Sequence, residues 1–175
     1  IAAGVYSDHE CSTFENALEK LRKGQFIMIR EGTAAHNLKA LMPLLTQQYY
    51  SRCMFATDDK HPSDLLYGGH IDYIVKQALK NGADPIVALK TATHHAARYF
   101  LLNNKGAIAS GYLADIVVVD NLEDFNVETV FKRGKLVFDG EVKDFSAPTV
   151  DEKLAEKCFD TFHLDSVTPS SFKVD

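Results

Sequence analysis

An imidazole nitrogen and a carboxylate oxygen together suit a borderline divalent ion such as zinc, manganese or iron, and His9 and Asp58 offer that pair. Such an ion lowers the pKa of a water molecule enough to supply hydroxide near neutral pH, the chemistry of metal-assisted hydrolysis. Two protein groups do not hold a catalytic metal alone, since such sites ordinarily use about three. A plainer reading stands beside this one, with His9 as a hydrogen-bonded turn histidine and Asp58 as the cap of a following turn. Other templates fail. His9-Glu10 runs into Cys11-Ser12-Thr13, without the histidine at position 13 that a helical zinc-protease motif needs. No Cys-x-x-Cys occurs, which excludes the zinc deaminases of the His-x-Glu type, and neither a phosphate-cradling glycine loop nor a Gly-x-Ser-x-Gly elbow is present. Cys11, Cys53 and Cys158 are odd in number and far apart, so neither a disulfide framework nor a paired-cysteine zinc site is expected. Cys11 reads as a buried thiol rather than a nucleophile.

His9 and Asp58 can meet only if the elements carrying them lie side by side. A short apolar stretch through Val5 and Tyr6 leads into Ser7-Asp8-His9-Glu10, and Ser12-Thr13-Phe14-Glu15 has the form of a capping box opening a helix to about Lys23. Gly24 supplies its left-handed stop. Phe26-Ile27-Met28-Ile29 is a continuous apolar run, as in a strand buried on both faces, and Arg30-Glu31-Gly32 ends it. A helix over 35–45 follows, with Pro43 distorting its last turn. A third strand, 53–57, breaks into Asp58-Asp59-Lys60-His61-Pro62. Ile71, Ile74, Val75, Ala78 and Leu79 form the stripe of a further helix that Asn81-Gly82 terminates, and Asp84-Pro85 caps another running toward Tyr99. This alternation predicts parallel-sheet units covered by helices, in which sites lie at the carboxyl ends of the strands. After Asn103-Asn104 the pattern changes to strands over 114–120, 127–132 and 135–138, with Arg133-Gly134 as a turn. One short helix is expected over 152–159, and residues past Asp165 read as a tail.

The 175 residues carry 19 Lys and Arg against 24 Asp and Glu, a net charge of -5, which gives no electrostatic attraction for nucleic acid or an anionic membrane. The longest apolar runs fall far short of the ~20 residues of a membrane-spanning helix, so a soluble chain is expected, and three scattered, odd-numbered cysteines make a reducing cytoplasm the expected setting. The opening Ile-Ala-Ala-Gly-Val-Tyr reads as an element entered midway, so an upstream segment is expected.

Several runs resemble the adenine deaminases of the amidohydrolase superfamily: Ser7-Asp8-His9-Glu10-Cys11, Ile27-Met28-Ile29-Arg30-Glu31-Gly32 with Ala34-Ala35, and Thr57-Asp58-Asp59-Lys60-His61-Pro62 with Gly69-His70-Ile71-Asp72. The similarity continues through Ala97-Arg98-Tyr99-Phe100, Gly106 to Tyr112 with Ala114-Asp115, and Gly134-Lys135-Leu136-Val137. The chain departs from the superfamily where His95-Ala96 replaces a frequent Asn-Pro and where Ser110 replaces a frequent proline.

The resemblance implies an α/β fold, with 1–104 forming the last three strands of a (β/α)8 metal-dependent hydrolase barrel. It assigns 105–147 to strands of a small β-sandwich and 148–175 to a linker toward a further domain. It matches His9 to a metal ligand on the sixth strand and Asp58 to the aspartate of the eighth, both a metal ligand and the proton-carrying catalytic group. The implied reaction is hydrolytic deamination of adenine to hypoxanthine, with a divalent metal, manganese or iron before zinc, present as a pair in the complete homo-oligomeric enzyme. Arg30, Glu31, Asp59 and His61 are weaker candidates for substrate contact, with loop bracing or ion pairing as the alternative for each. His70, His94 and His95 read as capping or packing residues. Two other readings remain open: a dihydroorotase-like or hydantoinase-like amidohydrolase, and a non-catalytic α/β binding module.

Overall fold

The computed structural model describes residues 2–143, 146, 149–159, 161, 163, 164 and 166–173. Residues 1–143 form one compact unit and residues 144–175 a second.

In the first unit, β1 (Ser7–Asp8), β2 (Phe26–Arg30) and β3 (Cys53–Ala56) make a parallel sheet in sequence order, with Ser7 opposite Phe26 and Arg30 opposite Ala56. The helices between them are α1 (Phe14–Arg22) and α2 (Leu38–Leu41), with 3-10 turns at Met42–Leu44 and Tyr50–Arg52. Side chains alternate across a strand, so Ile27, Ile29, Cys53 and Phe55 enter one core with Ala17 and Leu21 of α1 and Leu38 and Leu41 of α2. Fully burying each of the Ile, Leu and Phe side chains among them contributes about 1.5–3 kcal/mol. Met28 lies on the opposite face and is only half-buried, so β2 is not covered on both sides as its apolar run suggested, whereas Met54 beside it is buried.

The first helix starts one residue later than the Ser-x-x-Glu pattern indicates. Thr13, not Ser12, is the N-cap, and its hydroxyl accepts a hydrogen bond from the Asn16 amide at 3.3 Å. At the other end Gly24, with φ of 89°, closes the helix: its amide donates to Leu21 O and the next amide to Lys20 O. The helix expected over 35–45 shortens to α2 and the 3-10 turn, since Pro43 has no amide to donate and residues 31–36 bend into their own turn through Gly32 N and Ala35 O.

After β3 the chain forms α3 (Pro62–Gly68), unexpected from its sequence, then α4 (Ile71–Lys80), α5 (Pro85–Ala92) and α6 (His94–Tyr99). Asp84 caps α5 by accepting from the Val87 amide at 3.0 Å, and the expected continuous helix to Tyr99 breaks at Thr93, whose ψ is -74°. His95 is buried, its Nδ1 3.1 Å from Cys53 O, so it ties α6 to the start of β3. Burial pushes the Cys53 thiol up to about 12, so it is an inert core group.

A second, antiparallel sheet contains β4 (Ile116–Val119), β5 (Val127–Lys132) and β6 (Lys135–Phe138) in that order. Arg133 and Gly134 both have positive φ, the requirement of the tight turn joining β5 to β6. Phe125 inserts into the main core and Lys76 Nζ donates to Asn126 Oδ1 at 2.9 Å, so this sheet is pinned to α4 through the loop between β4 and β5.

In the second unit, α7 (Glu152–Phe159) forms as expected, and a 3-10 turn at Pro169–Phe172 occupies part of the stretch read as a tail. The expected boundary at 147/148 lies outside the described residues. No described helix is long and apolar enough to cross a membrane.

Candidate functional site

Because β1, β2 and β3 are parallel and adjacent, their carboxyl ends share one edge of the sheet. His9 directly follows β1, Arg30 is the last residue of β2, and Asp58 lies two residues beyond β3. Nearly fifty residues apart in sequence, His9 Nε2 and Asp58 Oδ1 stand 3.8 Å from each other. Arg30 lies between their neighbours: its Nη1 donates to Asp58 Oδ2 at 2.8 Å and to Glu10 Oε1 at 3.1 Å, and its Nη2 donates to Glu10 Oε2 at 2.7 Å. Glu10 Oε1 is also 3.1 Å from His9 Nε2.

Backbone geometry holds the two candidate ligands in place. Asp58 adopts φ of 49°, a left-handed conformation that Asp tolerates better than most residues and that turns the chain away from the strand. The next residue braces this turn, since Asp59 accepts from the Ala34 and Ala35 amides at 3.0 and 3.4 Å. Those bonds, the Ala34 one first, hold its carboxyl below the ordinary range. A Cβ at Gly32 would fall 1.7 Å from Asp59 Oδ1, so only glycine lets the two loops approach this closely. On the β1 side, Asp8 accepts from Lys20 Nζ at 2.7 Å and from the Glu10 amide at 2.7 Å. Burial raises the Asp8 carboxyl, but the bonds from Lys20 and the Glu10 amide and the charge of Lys20 outweigh it and hold the group below its ordinary value. Burial, then the Asp8 charge, raises the Cys11 thiol, consistent with a packing role.

The weaker candidates are placed differently from one another. Arg30 joins the cluster, whereas Glu31 points the other way, as alternation along a strand requires. Glu31 accepts from the Leu38 amide at 2.9 Å and pairs with His36 Nδ1 at 2.9 Å. Asp59 is engaged by the loop after β2. His61 is exposed, and its amide donates to Thr33 Oγ1, which also bonds Asp64. His70 opens α4 without a side-chain cap bond; its amide donates to Asp72 Oδ1 at 2.7 Å, and its Nε2 lies 3.5 Å from Thr57 Oγ1. Glu10, which by its type and place could line a pocket or form an ion pair, pairs with Arg30. Asn37 carries no signal in the sequence beyond preceding a helix. Asn37 is nonetheless buried, with Oδ1 accepting from Arg30 N at 2.7 Å and Nδ2 donating to Cys11 O at 2.9 Å.

The loop beside the site has its own pH dependence. Both ring nitrogens of His36 face acceptors, Glu31 Oε2 at 2.9 Å and Thr33 O at 3.0 Å, and only the imidazolium can donate to both at once. The Glu31 bond, ahead of the opposing effect of burial, raises its pKa above the ordinary 6.5. A raised folded-state pKa gives stabilisation that is complete below about pH 6.5 and lost as pH rises through the higher folded value. The melting temperature of His36→Gln is therefore expected to fall below that of the native protein at pH 5.5, and the gap to close by pH 9. An equal gap at both values would contradict the pairing.

The donor types at the edge fit a divalent cation. The 3.8 Å between His9 Nε2 and Asp58 Oδ1 is less than two ordinary metal–ligand bonds of about 2.1 Å laid end to end, so one ion can touch both. Among the described residues no group of three or more His, Cys, Asp or Glu side chains is arranged to hold a metal.

The sequence profile described as the Amidohydrolase family matches residues 2–137. The chain belongs to the amidohydrolase family. Among similar proteins, the adenine deaminase of Kosmotoga olearia is 47% identical over 87% of this amidohydrolase chain, and that of Thermosipho africanus 53% identical over 78%. The adenine deaminase 2 of Carboxydothermus hydrogenoformans is 44% identical over 99%. The chain spans 29%, 24% and 30% of the length of these three relatives. Among solved structures, a beta-aspartyl dipeptidase from Fervidobacterium islandicum AW-1 superposes with a TM-score of 0.62 at 27% identity, covering 76% of this chain and 36% of that one. An amidohydrolase from Thermotoga maritima, 21% identical, shares the fold with a TM-score of 0.52 over 72% of this chain and 34% of its own.

Proposed function

We propose that this chain is the carboxyl-side part of an adenine deaminase, which hydrolyses adenine to hypoxanthine and ammonia, and that β1, β2 and β3 are the sixth, seventh and eighth strands of its (β/α)8 barrel. The antiparallel sheet then belongs to the small sandwich beside the barrel. The observation carrying this reading is the meeting of His9 and Asp58, 3.8 Å apart on the carboxyl edge of a parallel sheet. Its support in sequence is the 44–53% identity to adenine deaminases over most of the chain.

In this reading His9 Nε2 and the Asp58 carboxylate hold a divalent cation, manganese or iron before zinc, and strands outside this chain supply the remaining ligands, enough for a second ion. The cation, when bound, supplies Lewis acidity and an acidified water near neutral pH. The Asp58 carboxylate takes a proton from the attacking water as its oxygen adds to carbon six of adenine, and returns that proton to the departing amino nitrogen. One water is consumed, and one ammonia leaves. Asp58 suits this part because Arg30 occupies only its Oδ2 and leaves Oδ1 on the side of His9. The substrate is a small purine base, and the setting is a homo-oligomer in the cytoplasm.

The test is an assay of the full-length protein loaded with Mn²⁺ on adenine, dihydroorotate and dihydrouracil. Hypoxanthine and ammonia are expected in equal amounts, with no ring opening of the dihydropyrimidines. Turnover of a dihydropyrimidine in preference to adenine would overturn the assignment.

A further inference from the structure

We propose that Arg30 is a positioning residue that sets the direction of the Asp58 carboxylate, rather than a group that contacts substrate. The inference rests on the adenine deaminase reading and deepens it by giving a role to the residue between the two acids of the site.

Both the backbone and the guanidinium of Arg30 are held by hydrogen bonds. Its backbone lies opposite Ala56, two residues before Asp58, and its amide donates to the buried Oδ1 of Asn37 at 2.7 Å. Asn37 in turn donates to Cys11 O at 2.9 Å and His9 O at 3.4 Å, so the loop after β1 and the end of β2 share one polar peg. The Arg30 side chain is only 15% exposed. Its two Nη1 bonds go to Asp58 Oδ2 and Glu10 Oε1, which use both hydrogens of that nitrogen, and Nη2 completes the pair with Glu10 Oε2. Its buried Nε has no partner among the described residues, so the side-chain bonds of the guanidinium described here all go to the two carboxylates. A planar fork can grip two carboxylates at fixed angles, whereas a lysine ammonium cannot reproduce that geometry. With Oδ2 held, Asp58 cannot rotate freely, and Oδ1 is the oxygen presented toward His9 Nε2.

The test uses the full-length enzyme with Arg30→Gln and Arg30→Lys, read by steady-state kinetics on adenine and by Mn²⁺ titration. For Arg30→Gln, kcat is expected to fall about 10–100-fold and the Mn²⁺ dissociation constant to rise about 10-fold, as when groups supporting a metal ligand are removed. KM for adenine should stay within about threefold, because lost orientation and lost substrate binding separate in this way. Arg30→Lys should have a kcat between that of Arg30→Gln and the native enzyme. A raised KM with kcat and Mn²⁺ affinity unchanged would make Arg30 a substrate-binding group and overturn the proposal. If Arg30→Gln does not fold, Arg30→Lys decides by itself: a kcat loss of about tenfold at constant KM supports the role, and a change confined to KM overturns it. The native enzyme is the separate control. If it makes no hypoxanthine the functional reading fails, whereas an active native enzyme with indifferent Arg30 variants sinks only this inference.

Discussion

Asp58→Asn in the full-length protein is expected to lower kcat on adenine by about 10²–10⁴-fold, the range that a positioned proton-transfer group contributes. An amide cannot take a proton from water at neutral pH, so the substitution removes the function while nearly preserving shape. The fold should tolerate it for a local reason: position 58 has φ of 49°, and Asn occupies the left-handed region at least as readily as Asp. What the fold loses is the charge-assisted bond between Asp58 Oδ2 and Arg30, no more than about 3 kcal/mol. Arg30 retains its two bonds to Glu10. Kinetics and a thermal melt on the same preparation check this. A kcat within a few-fold of native would remove Asp58 from the chemistry.

The second large effect is on the cation. His9→Ala in the same protein is expected to weaken Mn²⁺ binding by more than about 100-fold, since even groups supporting a metal ligand are worth 10–100-fold. Its activity should fall with its metal content. His9 is about half exposed, with its side chain toward the open edge, so stability should change little while the metal measured after dialysis drops. Unchanged metal stoichiometry would show that the imidazole is not a ligand. Cross-strand geometry separates the two variants: His9→Ala leaves the Arg30–Asp58 bond intact, and Asp58→Asn leaves the His9 loop tied to Asn37.

How much of this was legible in the residues follows from the range of each interaction. Short-range patterns set the helix ends: Gly24 and Asp84 each cap a helix through a bond to an atom three residues away. Even so, Thr13 displaced Ser12 as the first cap by one position, because either hydroxyl can serve and packing of Ala17 and Leu21 decides the register. The helix at Pro62–Gly68 has no signal in its own residues because it follows a turn whose closure depends on bonds linking Asp59 and His61 to Ala34 and Thr33 in the loop after β2.

The alternation of strands and helices, the sheet turn at Arg133-Gly134 and the candidacy of His9 and Asp58 can be read from the residues, since each rests on residue type and near neighbours. Three outcomes come only with the folded arrangement: Glu10 and Arg30 join those two, Asn37 pegs the strand ends together, and Glu31 faces His36 instead of the site. Those outcomes depend on strand register and side-chain parity, which are fixed only when Arg30 settles opposite Ala56 and the apolar face of β2 meets its helices.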